Sequence, residues 1–472
     1  MHPPHLARLE NGDRAIAMVD RDERPIAGND PAPTPFAAAE PGQVVLYRDV
    51  SLIDGTGAPV RHGMAVVTDG PTIAAVAPED ELTSLDLSGA ETVDLRGAFL
   101  LPGLIDTHQH LSTPPNREQA EELMRRQLYG GVTAIREMAG DLRQMADLSR
   151  AALVGEIPGP DVHNAALMAG PGFFDDPRTW QVSQGATPGA TAWMQAIDDG
   201  TDLRLAVAMA RGTGAAAVKV YADLEPSLVA RITEEAHRQG MRVWAHAAVF
   251  PAMPRDVVAA GVDVVSHAHY LAYDLAGDRP VAYRQQREHL ADAYERFMAA
   301  PQDAVDGLLD DMRRRGTILD ATASLTARIP SSAPGAAALA PDVMRRLIGR
   351  AREAGVTICT GTDYESPPGD PYPSLHDELR FLVEAMGMPT REVIRAATLA
   401  GAAAVGLENA MGAVRPGMLA NLLIVADDPH HDIDRLRGVI TTVKRGRRHD
   451  RADYDRASAT GAGATIQEGA PA

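Results

Sequence analysis

Leu101-Pro-Gly-Leu-Ile-Asp-Thr-His-Gln-His-Leu111 is the stretch on which the fold turns. A short apolar run from Gly103 to Thr107 ends in two histidines, His108 and His110, separated by one residue. In an extended chain successive side chains alternate between faces, so these two imidazoles share a side. A pair of histidines at a strand end suits a metal, although a turn histidine or a hydrogen-bonded core histidine fits the same pattern. The rest of the chain decides between these readings.

Downstream, further apolar runs read as strands at 132–137, 161–166, 216–221, 242–246, 262–266, 317–321 and 356–360, which with 103–107 makes eight. Helical stretches lie between most of them, among them 117–130, 224–240, 303–316 and 342–355, and several close on Gly before the next strand. This alternation predicts an α/β fold, a (β/α)8 TIM barrel over 102–405, with a doubly wound sheet as the structural alternative. In a barrel the chemistry gathers at the C-terminal strand ends. There the sequence places His108, His110, Lys219 (AAAVKVYADL), His246 (RVWAHA), His267 (VDVVSHA) and Asp363 (VTICTGTD). Imidazole and carboxylate donors fit zinc and other divalent transition metals.

On either side of the barrel the pattern changes to short strands with tight turns, at 43–101 and 406–450. The two parts are expected to unite as a composite β-sandwich. Residues 1–42, ending in PAPTPFAAAEPG, read as an extended arm, and 451–472 as a flexible tail.

Composition narrows the function. The 472 residues carry a formal charge of −19, and no dense basic stripe exists, which disfavours nucleic acid and anionic membrane as partners. No run of 18 apolar residues suggests a membrane span, and the N-terminal region lacks a signal-type apolar core, so a cytoplasmic location is expected, with a trimmed secretory precursor as the alternative. A single cysteine, Cys359, excludes a disulfide framework and reads as core. Lys+Arg total 45, yet only Lys219 and Lys444 are lysines. Arg stays protonated where Lys can become a neutral amine, so Lys219 at a strand end stands out.

These motifs, with PGLIDTHQH at the start, LHDELRFLVEAMGMPTREVIRAATLAGAAAVGL at 375–407 and RPGMLANLLIVADDP at 415–429, resemble the amidohydrolase superfamily, in its branch of imidazolonepropionase-like amidohydrolases and metal-dependent Xaa-Pro or Xaa-Arg dipeptidases. The resemblance covers about 43–446. It implies that His108, His110 and Asp363 ligate one ion and His246 and His267 a second, with Lys219, carboxylated by carbon dioxide, bridging the two. The expected cofactors are thus two divalent ions, Zn2+ foremost.

The expected activity is hydrolysis of an amide bond in a small dipeptide or N-acyl amino acid through a metal-bridging hydroxide, with Asp363 as the proton shuttle. A lactone, cyclic amide, carbamate or phosphotriester would suit the same chemistry, and a non-catalytic metal-bound subunit is the rival of another class. Departures from the family pattern after the third, fifth and sixth strands make His163, Tyr221, His269 and Tyr270 candidate substrate contacts. The long segment 270–315 is a candidate lid. The sequence leaves homo-oligomerisation open.

Overall fold

A computed structural model describes residues 32–82, 86–329, 334–367 and 369–459. Eight parallel strands form the barrel: Leu104–Gln109, Val132–Glu137, Asp161–Ala169, Ala217–Val220, Arg242–His246, Val264–Ser266, Ile318–Asp320 and Ile358–Cys359. Each pairs with the next in parallel register. The first and last strands meet through Thr107 N–H donating to Thr360 O (2.9 Å) and Asp363 N–H donating to His108 O (2.9 Å).

Each strand is followed by a helix that covers the barrel wall, beginning with Arg117–Tyr129 and ending with Leu375–Glu384. Local sequence sets these helices. The Asn116 side chain caps the first by accepting from Gln119 N–H. Gly316, at φ +75°, ends Asp306–Arg315 in the left-handed conformation that favours glycine.

The barrel interior receives one side chain from every strand: Ile105, Ala134, Ala165, Ala217, Trp244, Val264, Ile318 and Cys359. Three alanines leave room for the fully buried Trp244 ring, whose Nε1–H donates to Ala404 O at 3.1 Å. Cys359 is core, as its sequence context implied, and burial pushes its thiol up to about 12.

The second layer is an eight-stranded sheet built from both flanks of the barrel. Arg447–Asp450, Val439–Lys444 and Leu422–Val425 join Phe99–Pro102, Val44–Leu52, Arg61–Asp69 and Thr72–Pro78, while Glu91–Asp94 pairs beside Val44–Leu52. Alternation explains how it docks. Leu101, Leu423 and Val425 pack into the cluster shared with the barrel, whereas Leu100, Leu422 and Ile424 pack with Tyr47 and Val50 on the opposite face.

Two expectations need correction. Arg451–Ala459, expected to be loose, is a helix; Tyr454 is buried against Tyr129 at 5.7 Å, and Arg451 donates to Tyr129 O and Pro371 O. Its apolar face is hard to read from the sequence because one tyrosine carries it. Residues 32–42 of the expected arm are fastened, with Phe36 N–H donating to Gly155 O and Ala39 N–H to Arg445 O; residues 1–31 and 460–472 lie outside the described residues. A small hairpin, Ala190–Thr191 with Met194–Ala196, extends the third barrel strand's edge and had no clear signature. Among the described residues no helix is long and apolar enough to cross a membrane.

Candidate metal centre and active site

Backbone strain marks one end of the barrel. Of the eight described non-glycine residues with positive φ, six follow barrel strands: Ala139, Asp223, Phe250, His267, Thr322 and Asp363. Each such conformation costs on the order of 1–3 kcal/mol and persists where surrounding contacts enforce it, which is characteristic of functional sites.

The first strand runs further than expected, so His108 lies within it and His110 just beyond. Their Nε2 atoms stand 3.5 Å and 3.1 Å from Asp363 Oδ1. Asp106 fastens this corner: its carboxylate accepts from His108 N–H, Gln109 Nε2, Thr362 N–H and Thr362 Oγ1 at 2.6–3.2 Å. Gly361 completes the fit, because a Cβ there would run into the Asp320 carboxylate and His108.

The other strand ends converge on the same space. The His108 ring centroid is 4.8 Å from that of His267, which is 4.5 Å from that of His246. His267 Nδ1 lies 3.8 Å from Asp363 Oδ2. Donor atoms of His108, His267 and Asp363 all fall within 4.8 Å of one another, the metal-binding cluster of the described residues.

The donor chemistry fits a cation. His246 Nδ1 is 3.0 Å from Ala248 O, which can only accept, so this nitrogen carries the proton and Nε2 keeps a lone pair. His108 Nε2 is buried without a hydrogen-bond partner while Nδ1 is engaged by Asp320 at 2.9 Å. Burial, with Lys219 nearby, holds His246 down to about 3, and burial likewise keeps His108 and His267 well below the ordinary imidazole range. Neutral imidazoles are the metal-ligating form. Burial opposes ionisation of Asp363, but His108, His110 and Lys219 outweigh it and hold the carboxyl well below the usual range.

Lys219 is 2% exposed. Its Nζ is 3.4 Å from Met138 O and 4.8 Å from the Tyr221 ring centroid, and among the described residues it has no ion pair within 4 Å. Burial is the main cause that lowers its pKa to about 8, against the pull of Asp363. Lys444 differs: it is clamped at 3.0 Å by Asp161, the first residue of the third barrel strand, and by two carbonyls.

Three of the four candidate substrate contacts adjoin the cluster. Tyr221 and Tyr270 lie 5.1 Å and 5.0 Å from the His246 ring, and His269 lies 6.2 Å from His267. His163 does not join them. The third strand continues to Ala169, so His163 stays near its start, surrounded by the charges of Asp161, Arg445 and Lys444.

Residues not singled out in the sequence complete the site. Asp320 and Arg136, at the ends of the seventh and second strands, form a fully buried pair beneath His108. Tyr283, from the long excursion, shares a hydrogen bond with the Tyr221 hydroxyl at 2.8 Å and stacks edge-on to Phe173. The strand-end criterion could have found the first two; nothing local pointed to Tyr283.

Comparison with known proteins agrees with this geometry. The amidohydrolase family model matches residues 99–448. Ochratoxinase from Aspergillus niger is 27% identical over 454 residues, covering 85% of each chain. Imidazolonepropionase from Symbiobacterium thermophilum is 28% identical over 443 residues, covering 87% of this chain and 93% of that one. A crystal structure of a Xaa-Pro dipeptidase with bound methionine superposes with a TM-score of 0.67 at 22% identity, over 86% of this chain and all of the other (100%). With a family model spanning most of the chain and a histidine–aspartate cluster at the barrel mouth, this protein belongs to the amidohydrolase family and is a metal-dependent hydrolase of carbon–nitrogen bonds.

Proposed function

We propose that the protein hydrolyses the amide bond of a small dipeptide or N-acyl amino acid, using two divalent ions, Zn2+ foremost, bridged by carboxylated Lys219. The observation that carries this reading is the buried Lys219, which among the described residues has no ion pair within 4 Å, its nearest carboxylates Asp363, Glu137 and Asp320 acting only from farther off. A buried ammonium without a direct ion pair is costly. The ammonium first loses one proton, and attack of the neutral amine on carbon dioxide then forms an N–C bond and releases a second, so that the cation would become an anionic carbamate able to ligate metal.

In this reading His108, His110 and Asp363 hold one ion, and His246 and His267 the other. Bound metal supplies an acidified water and a Lewis acid for the substrate carbonyl. Asp363, ionised and about one-fifth exposed, stands at the open side of the cluster to accept a proton from the attacking water and deliver it to the leaving nitrogen. Phe173, Tyr221, Tyr270 and Tyr283 wall the His246 side with aromatic rings, which suits an apolar substituent next to the scissile bond.

Similarity to enzymes as different as ochratoxinase and imidazolonepropionase makes breadth the useful test. A screen of metal-reconstituted protein against dipeptides, N-acyl amino acids, lactones and phosphotriesters, ranked by kcat/KM, should place an amide first. A lactone or phosphotriester leading every amide by a hundredfold would overturn the substrate class while leaving the family intact.

A further inference from the structure

The structure assigns to Asp320 the role of positioning residue for His108, fixing the imidazole tautomer and orientation for metal binding. Asp320 ends the seventh strand, where no metal ligand is expected, and is fully buried. Its carboxylate takes four donors: His108 Nδ1 at 2.9 Å, Arg136 Nη2 at 2.9 Å, Ser266 Oγ at 2.8 Å and Thr107 Oγ1 at 3.0 Å.

Arg136 is itself fixed, donating from Nε to Thr107 O at 2.6 Å and lying over the Trp244 ring at 4.8 Å. The relay therefore runs from the packed barrel interior through Arg136 and Asp320 to His108. With the carboxylate accepting from Nδ1, the lone pair is confined to Nε2, the atom that faces Asp363 and has no partner of its own. A carboxylate behind a ligating histidine orients the ring and raises its basicity, and its loss commonly weakens metal binding about 10- to 100-fold.

A plain barrel plug would look similar, since Arg136 and Asp320 also neutralise each other. The two roles part in the double variant Arg136→Met/Asp320→Leu. Replacing a buried ion pair with apolar groups of similar volume is often neutral for stability, but it leaves His108 Nδ1 without an acceptor. The inference rests on His108 being a metal ligand, so parental and variant chains are compared by Zn2+ competition against a chromogenic chelator and by the absorption bands of the Co2+ form.

The expected result is Zn2+ affinity lower by about 10- to 100-fold and displaced Co2+ bands, with the thermal transition kept. Parental affinity in the double variant sinks the role of Asp320. Failure of the parental chain to bind Zn2+ sinks the metal reading instead. Should the double variant not fold, selective 15N-histidine labelling of the parental holoenzyme decides: a His108 Nδ1 proton, identified by its loss in His108→Gln, is required, and an unprotonated Nδ1 contradicts the assignment.

Discussion

In the proposed mechanism Asp363 has two duties, ligand and proton carrier, and substitution can separate them. Asp363→Asn retains size and a coordinating oxygen but removes the proton acceptor, so kcat should fall on the order of 10²- to 10⁴-fold at saturating metal, with the thermal transition retained. Metal content measured on the same sample guards against simple loss of the ion; near-parental kcat with full occupancy would remove Asp363 from proton transfer. For Lys219 the discriminating change is Lys219→Arg, because a guanidinium keeps the charge and cannot form the carbamate. Metal content and turnover should both drop, and a variant that keeps them would make Lys219 an ordinary buried cation. At this scale the sequence was most informative where chemistry restricts the residue type. His108, His246, His267 and Asp363 each end or follow an apolar run, and the described cluster unites three of them. Asp320 is hard to read from the sequence, because a lone Asp ending a strand is equally a helix cap and its meaning depends on Arg136, 184 positions away.

At the level of elements, the long excursion after the sixth strand is the segment whose role can be tested. It comprises the short turn Ala268–Leu275, the turn Tyr283–Gln285 and the helices Gln286–Ala299 and Asp306–Arg315. Asp223, after the fourth strand, latches it by accepting from Tyr283 N–H at 2.6 Å, which sets the Tyr283 ring 5.5 Å from that of His246. If the excursion acts as a lid over substrate, Tyr283→Ala should raise KM or change substrate preference by roughly tenfold, the scale of a lost hydrogen bond and ring contact. Metal content should stay parental, since no ligand lies on this element. Limited proteolysis with and without a competitive inhibitor reports closure directly; equal cleavage in both, with unchanged kinetics, would make the excursion inert cladding. The eight barrel strands were legible because each is a short apolar run between helical stretches. The hairpin at Ala190–Ala196 was not, since two- and three-residue strands leave no periodicity to read.

Across the whole molecule, neutral buried histidines make acid the weak side of stability. His449, in the composite sheet and remote from the metal cluster, stacks at 6.2 Å on Phe36 and edge-on at 5.8 Å to Tyr129. Burial, then Lys444 and Arg447, lowers its pKa from 6.5 to about 3. Between these values the unfolded chain binds the proton that the folded chain refuses, so stability rises with pH and falls on acidification below about 6.5. At pH 4.5 the deficit from this one group is roughly 3 kcal/mol. His449→Phe should flatten that limb of the Tm profile; an unchanged slope would show that His449 titrates normally in the folded chain. The union of both flanks into one sheet was readable from strand-like composition at each end, whereas the Arg451–Ala459 helix depended on a single buried tyrosine contact made across the fold. The two-ion site built on Lys219 is tested most directly by titrating Zn2+ into chelator-stripped protein in bicarbonate buffer while following hydrolysis of the best amide substrate. Activity should be absent at the start and level off at two equivalents per chain. Full activity at one equivalent, or activity that survives stripping, would contradict it.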